Sequence, residues 1–257
     1  MGVDVISDAI FLKDQPFRVE LANDDRKLRE SYRLRYDVYC IERGYEPGYN
    51  GEESDDFDPY SKHAVLRTND DGQVIATIRL IGPRFDDLKG SFPIQQLVAP
   101  NLLRGIPLAQ AGEMSRMAIS KQRRRADIDP VMLRMALWRA VVQMSHEWGL
   151  THWFAVIEPS SIRLHARTSI VFEPLGPVVV HHGIRQPMVG DIQKVLSRLR
   201  AARPFIWHYL TNGGMWCDYL TQPSRDAITM APSRMAASYR QTVSISDLTN
   251  GRPAAVA

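Results

Sequence analysis

The segment Thr77-Ile78-Arg79-Leu80-Ile81 sets a guanidinium inside an otherwise apolar, β-branched run, and Glu113-Met114-Ser115-Arg116 opens the equally apolar Met117-Ala118-Ile119 with charges of both signs. A charge buried without a partner costs several kcal/mol, so a chain that embeds charges in its core segments must fold so that opposite signs meet. Arg35, which shares a helical stripe with Leu28, Tyr32 and Tyr39, and the acidic run Asp55-Asp56-Phe57-Asp58 supply further members of such an assembly. The pattern predicts a polar site walled by apolar elements, with Glu113 set among Arg79 and Arg116.

The chain has 257 residues, 44% of them hydrophobic, which is enough to bury a sizeable core. The expected organisation is a lead-in over 1–23, one domain over 24–222, and a weakly structured Ser/Thr/Pro/Ala-rich tail over 223–257. A net charge of +3 does not mark a nucleic-acid binder, but the charge is segregated. Between Glu42 and Asp58 there are seven acids and one base, whereas Lys121-Gln122-Arg123-Arg124-Arg125 carries four bases and no acid. No aromatics interleave with that basic run, so nucleic acid is not an expected partner. Cys40 and Cys217 form neither a disulfide framework nor a CxxC pair and read as packing residues in a reducing compartment. No basic region precedes an apolar core at the start, and no run approaches eighteen apolar residues. Neither secretion nor a membrane span is therefore expected, and the predicted location is cytoplasmic. The oligomeric state is not legible.

Asn23-Asp24-Asp25 predicts a helix start, and a long polar loop follows from Arg43 to Ser61. Residues 63–68 and 74–80 read as a hairpin turning at Asn69-Asp70-Asp71-Gly72. After an irregular stretch from Phe92 to Leu108, 113–119 reads as a short buried strand, and Asp129-Pro130 opens a long apolar helix that ends at Gly149. A strand over 153–157, a helix after Glu158-Pro159-Ser160, strands near 178–180 and 186–189, a helix from Asp191 to Ala202 and an apolar segment over 205–210 complete the pattern. The fold class this implies is α+β, an α/β sandwich with a central mixed sheet flanked by helices.

Leu34-Arg35-Tyr36-Asp37-Val38-Tyr39, Asp55-Asp56-Phe57-Asp58, Ile78-Arg79-Leu80 and Glu113-Met114-Ser115-Arg116 resemble, in order and local spacing, the acyl-homoserine-lactone (autoinducer) synthases of the GNAT acyltransferase superfamily. Residues 38–46 and His182-Gly183-Ile184-Arg185-Gln186-Pro187 are more similar still to the PEP-CTERM/exosortase-system-associated acyltransferases and N-acyl-amino-acid synthases. The resemblance spans about residues 28–190 and implies an enzyme that moves a medium or long acyl chain from a phosphopantetheine thioester, usually on acyl carrier protein, to the amine of an amino acid or similar small acceptor. It also implies oxyanion stabilisation by main-chain N–H groups of a splayed strand near Met117–Ile119. Where lactone synthases carry Phe and Trp after the first Arg, this chain has Tyr39 and Tyr45, a departure that bears on recognition of S-adenosylmethionine.

Amide formation from a thioester needs a proton acceptor for the attacking amine, and Glu113 is the candidate base, with Arg79 and Arg116 beside it. The alternative for Glu113 is an ion pair bracing strand and loop. Arg35, Arg79 and Arg116 can hold the acidic loop closed or bind an acceptor carboxylate in two-point fashion. Asp55 and Asp58 can anchor that loop or engage the acceptor's ammonium, with Tyr39, Tyr45 and Ser115 completing the substrate-binding set. Glu52 to Asp58 lacks the alternating ligand spacing and glycine of a calcium loop, so no metal is expected, and no tightly bound cofactor. Gln122-Arg123-Arg124-Arg125-Ala126-Asp127 lacks the glycines that let backbone amides close on a pyrophosphate. This favours acyl carrier protein over coenzyme A as donor, with Lys121, Arg123, Arg124 and Arg125 as a patch for that acidic partner. The remaining alternatives are a lactone synthase using S-adenosylmethionine and a non-catalytic carrier-binding or lipid-binding module. Trp138 and the methionines at 132, 135 and 144 fit either an acyl tunnel or ordinary core packing; His182, Glu158 and His165 stand as remote candidates.

Overall fold

A computed structural model describes residues 14–221, apart from 47, 49 and 122–127. The proposed tail and Arg123, Arg124 and Arg125 lie outside the described residues.

The first strand, β1 (Phe17–Leu21), lies within the segment read as lead-in. Its apolar residues alternate with Arg18 and Glu20, and it pairs antiparallel with β2. Five residues carrying two charges are too short a signal to be distinguished from a polar linker. Helix α1 (Asp25–Arg35) starts where Asp24 accepts the Lys27 N–H at 2.8 Å. It continues without a break into a π-helical turn, Tyr36–Glu42, that the simple 3.6-residue stripe did not foresee. β2 (Ser61–Thr68) and β3 (Val74–Ile81) form the expected hairpin, and Gly72 takes the left-handed turn conformation at φ +67°. The stretch read as irregular contains three short 3-10 turns, at Pro93–Gln96, Pro100–Leu103 and Leu108–Gln110.

β4 (Ala111–Ile119) starts two residues earlier than its apolar run indicates. α2 (Pro130–Trp148) is bounded by the predicted signals: Asp129 caps Val131, and Gly149 ends the helix at φ +66°. There follow β5 (His152–Ile157), α3 (Pro159–Arg167), β6 (Glu173–Pro174), β7 (Val179–Val180), β8 (Ile184–Asp191), α4 (Ile192–Ala202) and α5 (Pro204–Thr211). The strands form one mixed sheet in the order β1-β2-β3-β4-β5-β8-β6, with β7 paired to β8; among the described residues only the β4–β5 contact is parallel.

Strand alternation sends side chains to two covered faces. His63 meets the ring of Tyr32 on α1, whereas its neighbour Lys62 reaches Glu147 on α2. Leu34 of α1 packs with Val65 and Val74 on the first face, and Ser31 shares a 2.7 Å hydrogen bond with Thr77 there. On the far side Trp138, Trp153 and Phe172 meet ring to ring. Each such buried large side chain contributes about 1.5–3 kcal/mol of transfer free energy. α5 packs on α2, where Arg139 donates to Tyr209 O and to Asn212 Oδ1. Among the described residues no helix is long and apolar enough to cross a membrane.

Candidate active site

β4 and β5 pair from Ala111–His152 as far as Met114–Ala155, then part although both strands continue. At this splay a cleft of about 440 Å³ opens, with Ile78, Met114, Met117, Ala155 and Ile157 among its walls. On its other edge β4 slips by one residue against β3 between Thr77 and Arg79, and Arg116 sits in the left-handed region at φ +51°. A left-handed conformation costs a non-glycine residue about 1–2 kcal/mol. The resulting bulge lets two consecutive residues serve one cluster. Ser115 Oγ accepts from Arg79 Nε at 2.9 Å, while Arg116 reaches Glu46, Glu53 and Asp55 at 3.0–3.3 Å.

Three arginines and three loop carboxylates interlock on the α1 face. Arg35, fully buried, holds Glu53 at 2.5 Å and clasps Asp58 with both terminal nitrogens at 2.6 and 3.0 Å. Arg79, also fully buried, joins Asp58 at 2.8 Å and pairs with Asp55. Burial alone would raise the carboxyls of Asp58 and Asp55. Against it, the hydrogen bonds and charges of Arg35 and Arg79 at Asp58, and of Arg79 and Arg116 at Asp55, prevail only in sum and hold both below the usual range. His63, opposite Arg79 on β2, is pushed by burial down to about 3 and is neutral, 3.4 Å from Asp58. The geometry is that of an anchor: both aspartates are consumed by arginines and draw the long acidic loop onto the sheet.

Glu113 departs from the expected Glu–Arg pair. Cross-strand register sets Ser115 rather than Glu113 opposite Arg79, and among the described residues no cation lies within 4 Å of the Glu113 carboxylate. Among the described residues its one direct hydrogen bond comes from the Ile94 N–H, at 2.9 Å, in the turn Pro93–Gln96. The side chain is 2% exposed and lines the cleft. Burial pushes its carboxyl up to about 7, against the smaller opposing pull of the Ile94 N–H, Arg79 and Arg116. The ion-pair alternative therefore fails for a geometric reason, since the loop aspartates have already taken Arg79.

Tyr39, in the π-helical turn, lies under the Arg116 guanidinium and donates its hydroxyl to Met117 O at 3.1 Å on the splayed strand. Tyr45 stands at the cleft mouth, near Arg43 and against the His182 ring. Lys121 has its N–H on the Glu42 carboxylate and its side chain exposed. Trp138 borders the cleft, as does His165, which burial holds at about 4; Met132, Met135 and Met144 lie in the core behind. Sequence reasoning overlooked Glu53 and Glu46, which sit in an acid-rich loop where no local signal separates an anchor from a solvated charge. It also overlooked Arg43, which meets Glu158 only after folding. Among the described residues no three His, Cys, Asp or Glu side chains gather in a metal-holding group.

Residues 34–134 match the family model described as an acetyltransferase (GNAT) domain. Solved structures similar to this chain include FeeM, an N-acyl amino acid synthase from uncultured soil microbes, with TM-score 0.58 and 14% identity over 72% of this chain and 95% of that one. BjaI, a CoA-dependent acyl-homoserine lactone synthase, gives TM-score 0.57 and 21% identity over 86% of this chain and 100% of that one. The lactone synthase LasI gives 0.51 and 22% over 67% and 87%. No curated protein matches the chain in sequence. The eight-stranded mixed sheet flanked by helices is thus a GNAT-type α+β fold, and residues 34–134 of it match the acetyltransferase domain model.

Proposed function

We propose that this protein moves a medium or long acyl chain from acyl carrier protein to the amine of an amino acid or similar small acceptor. The observation that carries the reading is Glu113, a buried carboxyl whose pKa burial pushes up to about 7 at the wall of the splayed cleft, with no cation in contact among the described residues. A general base is most effective when its pKa lies near the working pH. As the amine attacks the thioester carbonyl, Glu113 takes its proton. The carbonyl oxygen gathers charge that main-chain N–H groups near Met117–Ile119 stabilise, and collapse of the adduct expels the pantetheine thiol. Tyr39 supports that stretch through its bond to Met117 O. The cluster of Arg35, Arg79 and Arg116 with Glu53, Asp55 and Asp58 holds the loop wall rather than the reacting atoms. No covalent enzyme intermediate is needed: burial raises the thiol of Cys40, the cysteine on the π-helical turn, which disfavours the nucleophilic thiolate.

Fold likeness to FeeM supports the amino-acid acceptor, and the sequence of residues 122–127, without the glycines of a pyrophosphate cradle, supports the carrier-protein donor; likeness to BjaI, a CoA-dependent enzyme, keeps an acyl-CoA donor within the test. Incubation of the protein with lauroyl acyl carrier protein or lauroyl-CoA and the twenty common amino acids, followed by mass spectrometry, should yield an N-lauroyl amino acid from the carrier-bound donor. Glu113→Gln should abolish it while carrier binding persists. Methylthioadenosine release on addition of S-adenosylmethionine would instead identify a lactone synthase, and carrier binding without turnover a binding module.

A further inference from the structure

The cleft mouth holds a group of charges that the proton-transfer step does not use. Arg43, just past the π-helical turn, and Arg185, on β8, approach the same carboxylate oxygen of Glu158 at 3.5 and 3.1 Å. Glu158 occupies the N-cap position of α3, yet its side chain makes no capping bond and turns to the two arginines instead. The positive end of α3 adds to their potential. Two guanidiniums and a helix N-terminus thus face one carboxylate. By contrast, the three arginines of the inner cluster are matched by Glu53, Asp55 and Asp58, with Glu46 a further partner of Arg116. Arg43 is half-exposed, and the other polar contacts of the pair among the described residues include the Tyr45 hydroxyl, 3.4 Å from Arg43 and hydrogen-bonded to Arg185 as well, and Ile184 O, 3.1 Å from Arg185. Each guanidinium offers five N–H donors, so donors remain after these contacts. Both arginines, Tyr45 and Glu158 border the same cleft as Glu113.

We infer that Arg43 and Arg185, with the Tyr45 hydroxyl between them, form a subsite for the carboxylate of the acceptor, so that the preferred acceptor is an amino acid with a free carboxyl group. This rests on the proposed function and narrows its substrate class. A planar carboxylate suits two guanidinium forks. Bound there, it leaves the amine of the same small molecule in the cleft that Glu113 also lines. Hydrogen bonds to Arg43 and Arg185 lower the Tyr45 hydroxyl from its ordinary value, in keeping with a positive potential at this spot. An anion of another origin, a phosphate of the donor, has the same chemistry, and the test separates the two.

Initial rates are measured with lauroyl acyl carrier protein and lauroyl-CoA against the common L-amino acids and their C-terminal amides. In parallel, amino acid and amide binding to the donor-free protein is measured by saturation-transfer NMR. The wild type should use acids in preference to amides by on the order of tenfold to a hundredfold, the scale of a lost charge-assisted hydrogen bond. Arg185→Gln and Arg43→Gln should each raise the acceptor KM by about tenfold or more, leave donor KM within about twofold, and erase the acid–amide preference, with Arg185→Lys retaining part of it. Equal use or equal binding of acids and amides overturns the subsite, as does a rise confined to donor KM, which assigns the arginines to a donor phosphate. If no amine is acylated but acids still bind better than amides in an Arg185-dependent way, the subsite stands and the transferase reading falls.

Discussion

Replacing Glu113 by Gln should make the folded protein more stable at the pH where the enzyme works, while removing its activity. Burial raises the carboxyl from 4.5 to about 7, so the native state keeps a proton that the unfolded chain releases above pH 4.5. The sign follows. Below pH 4.5 both states are protonated and the two proteins should be equally stable. Between 4.5 and 7 the wild type loses stability as pH rises, and above 7 the loss is complete. The interval between the two values corresponds to roughly 3 kcal/mol. Glutamine is neutral at all these pH values, and its side-chain oxygen can still accept the Ile94 N–H. For a domain of this size ~3 kcal/mol amounts to about 6–12 °C in Tm. Denaturant melts of both proteins at intervals from pH 4.5 to 8.5 should therefore diverge with pH, with Glu113→Gln ahead by ~2–3 kcal/mol at pH 8. A difference that does not change with pH, or a wild type that stays the more stable at pH 8, would refute the claim that Glu113 is buried in a site that resists its ionisation.

His63 carries the opposite slope. Burial drops it from 6.5 to about 3, so its contribution is present above pH 6.5 and lost as pH falls toward 3. Neither ring nitrogen has a hydrogen-bond partner among the described residues, so His63→Leu should flatten acid denaturation between pH 6.5 and 4 with little change at pH 7.5. Asp58→Asn leaves Arg35 and Arg79 short of charge in the core and should cost about 3–5 kcal/mol at pH 7, measured by urea melts. Since Asp58 sits below its ordinary 3.8, that penalty should shrink only when the pH drops under 3.8. Gly112→Ala would bring a Cβ to 2.6 Å from Leu150 and 3.2 Å from Ile81 O, and should destabilise by about 1–3 kcal/mol while leaving acceptor KM unchanged.

Elements with local signatures were legible in the sequence. Asp129-Pro130 and Gly149 bound α2 as read, and the Asn69–Gly72 turn marked the β2–β3 hairpin. The meeting of Arg35, Arg79 and Arg116 with the acidic loop was legible too, because buried charge demands a partner. Which acid serves which arginine was not. Ser115 rather than Glu113 stands opposite Arg79, a matter of strand register, and Arg116 turns inward through a bulge that no residue type in its strand announces. The π-helical turn at 36–42 that carries Tyr39 is equally silent, since its residues suit an α-helix as well. Glu53 and Arg43 became visible only through distant partners, Arg35 and Glu158. Long-range pairings of this kind leave no periodicity to read.

The pH dependence of single-turnover acyl transfer from lauroyl acyl carrier protein tests the role of Glu113 most directly. The wild type should show a limb that rises through about pH 7 as the carboxyl ionises, distinct from the higher limb of the acceptor's own ammonium. In Glu113→Gln that limb should vanish and the rate at pH 8 should fall by at least about a hundredfold. A rate at pH 8 within threefold of wild type, with the limb near 7 intact, would contradict the assignment of Glu113 as the group that takes the proton.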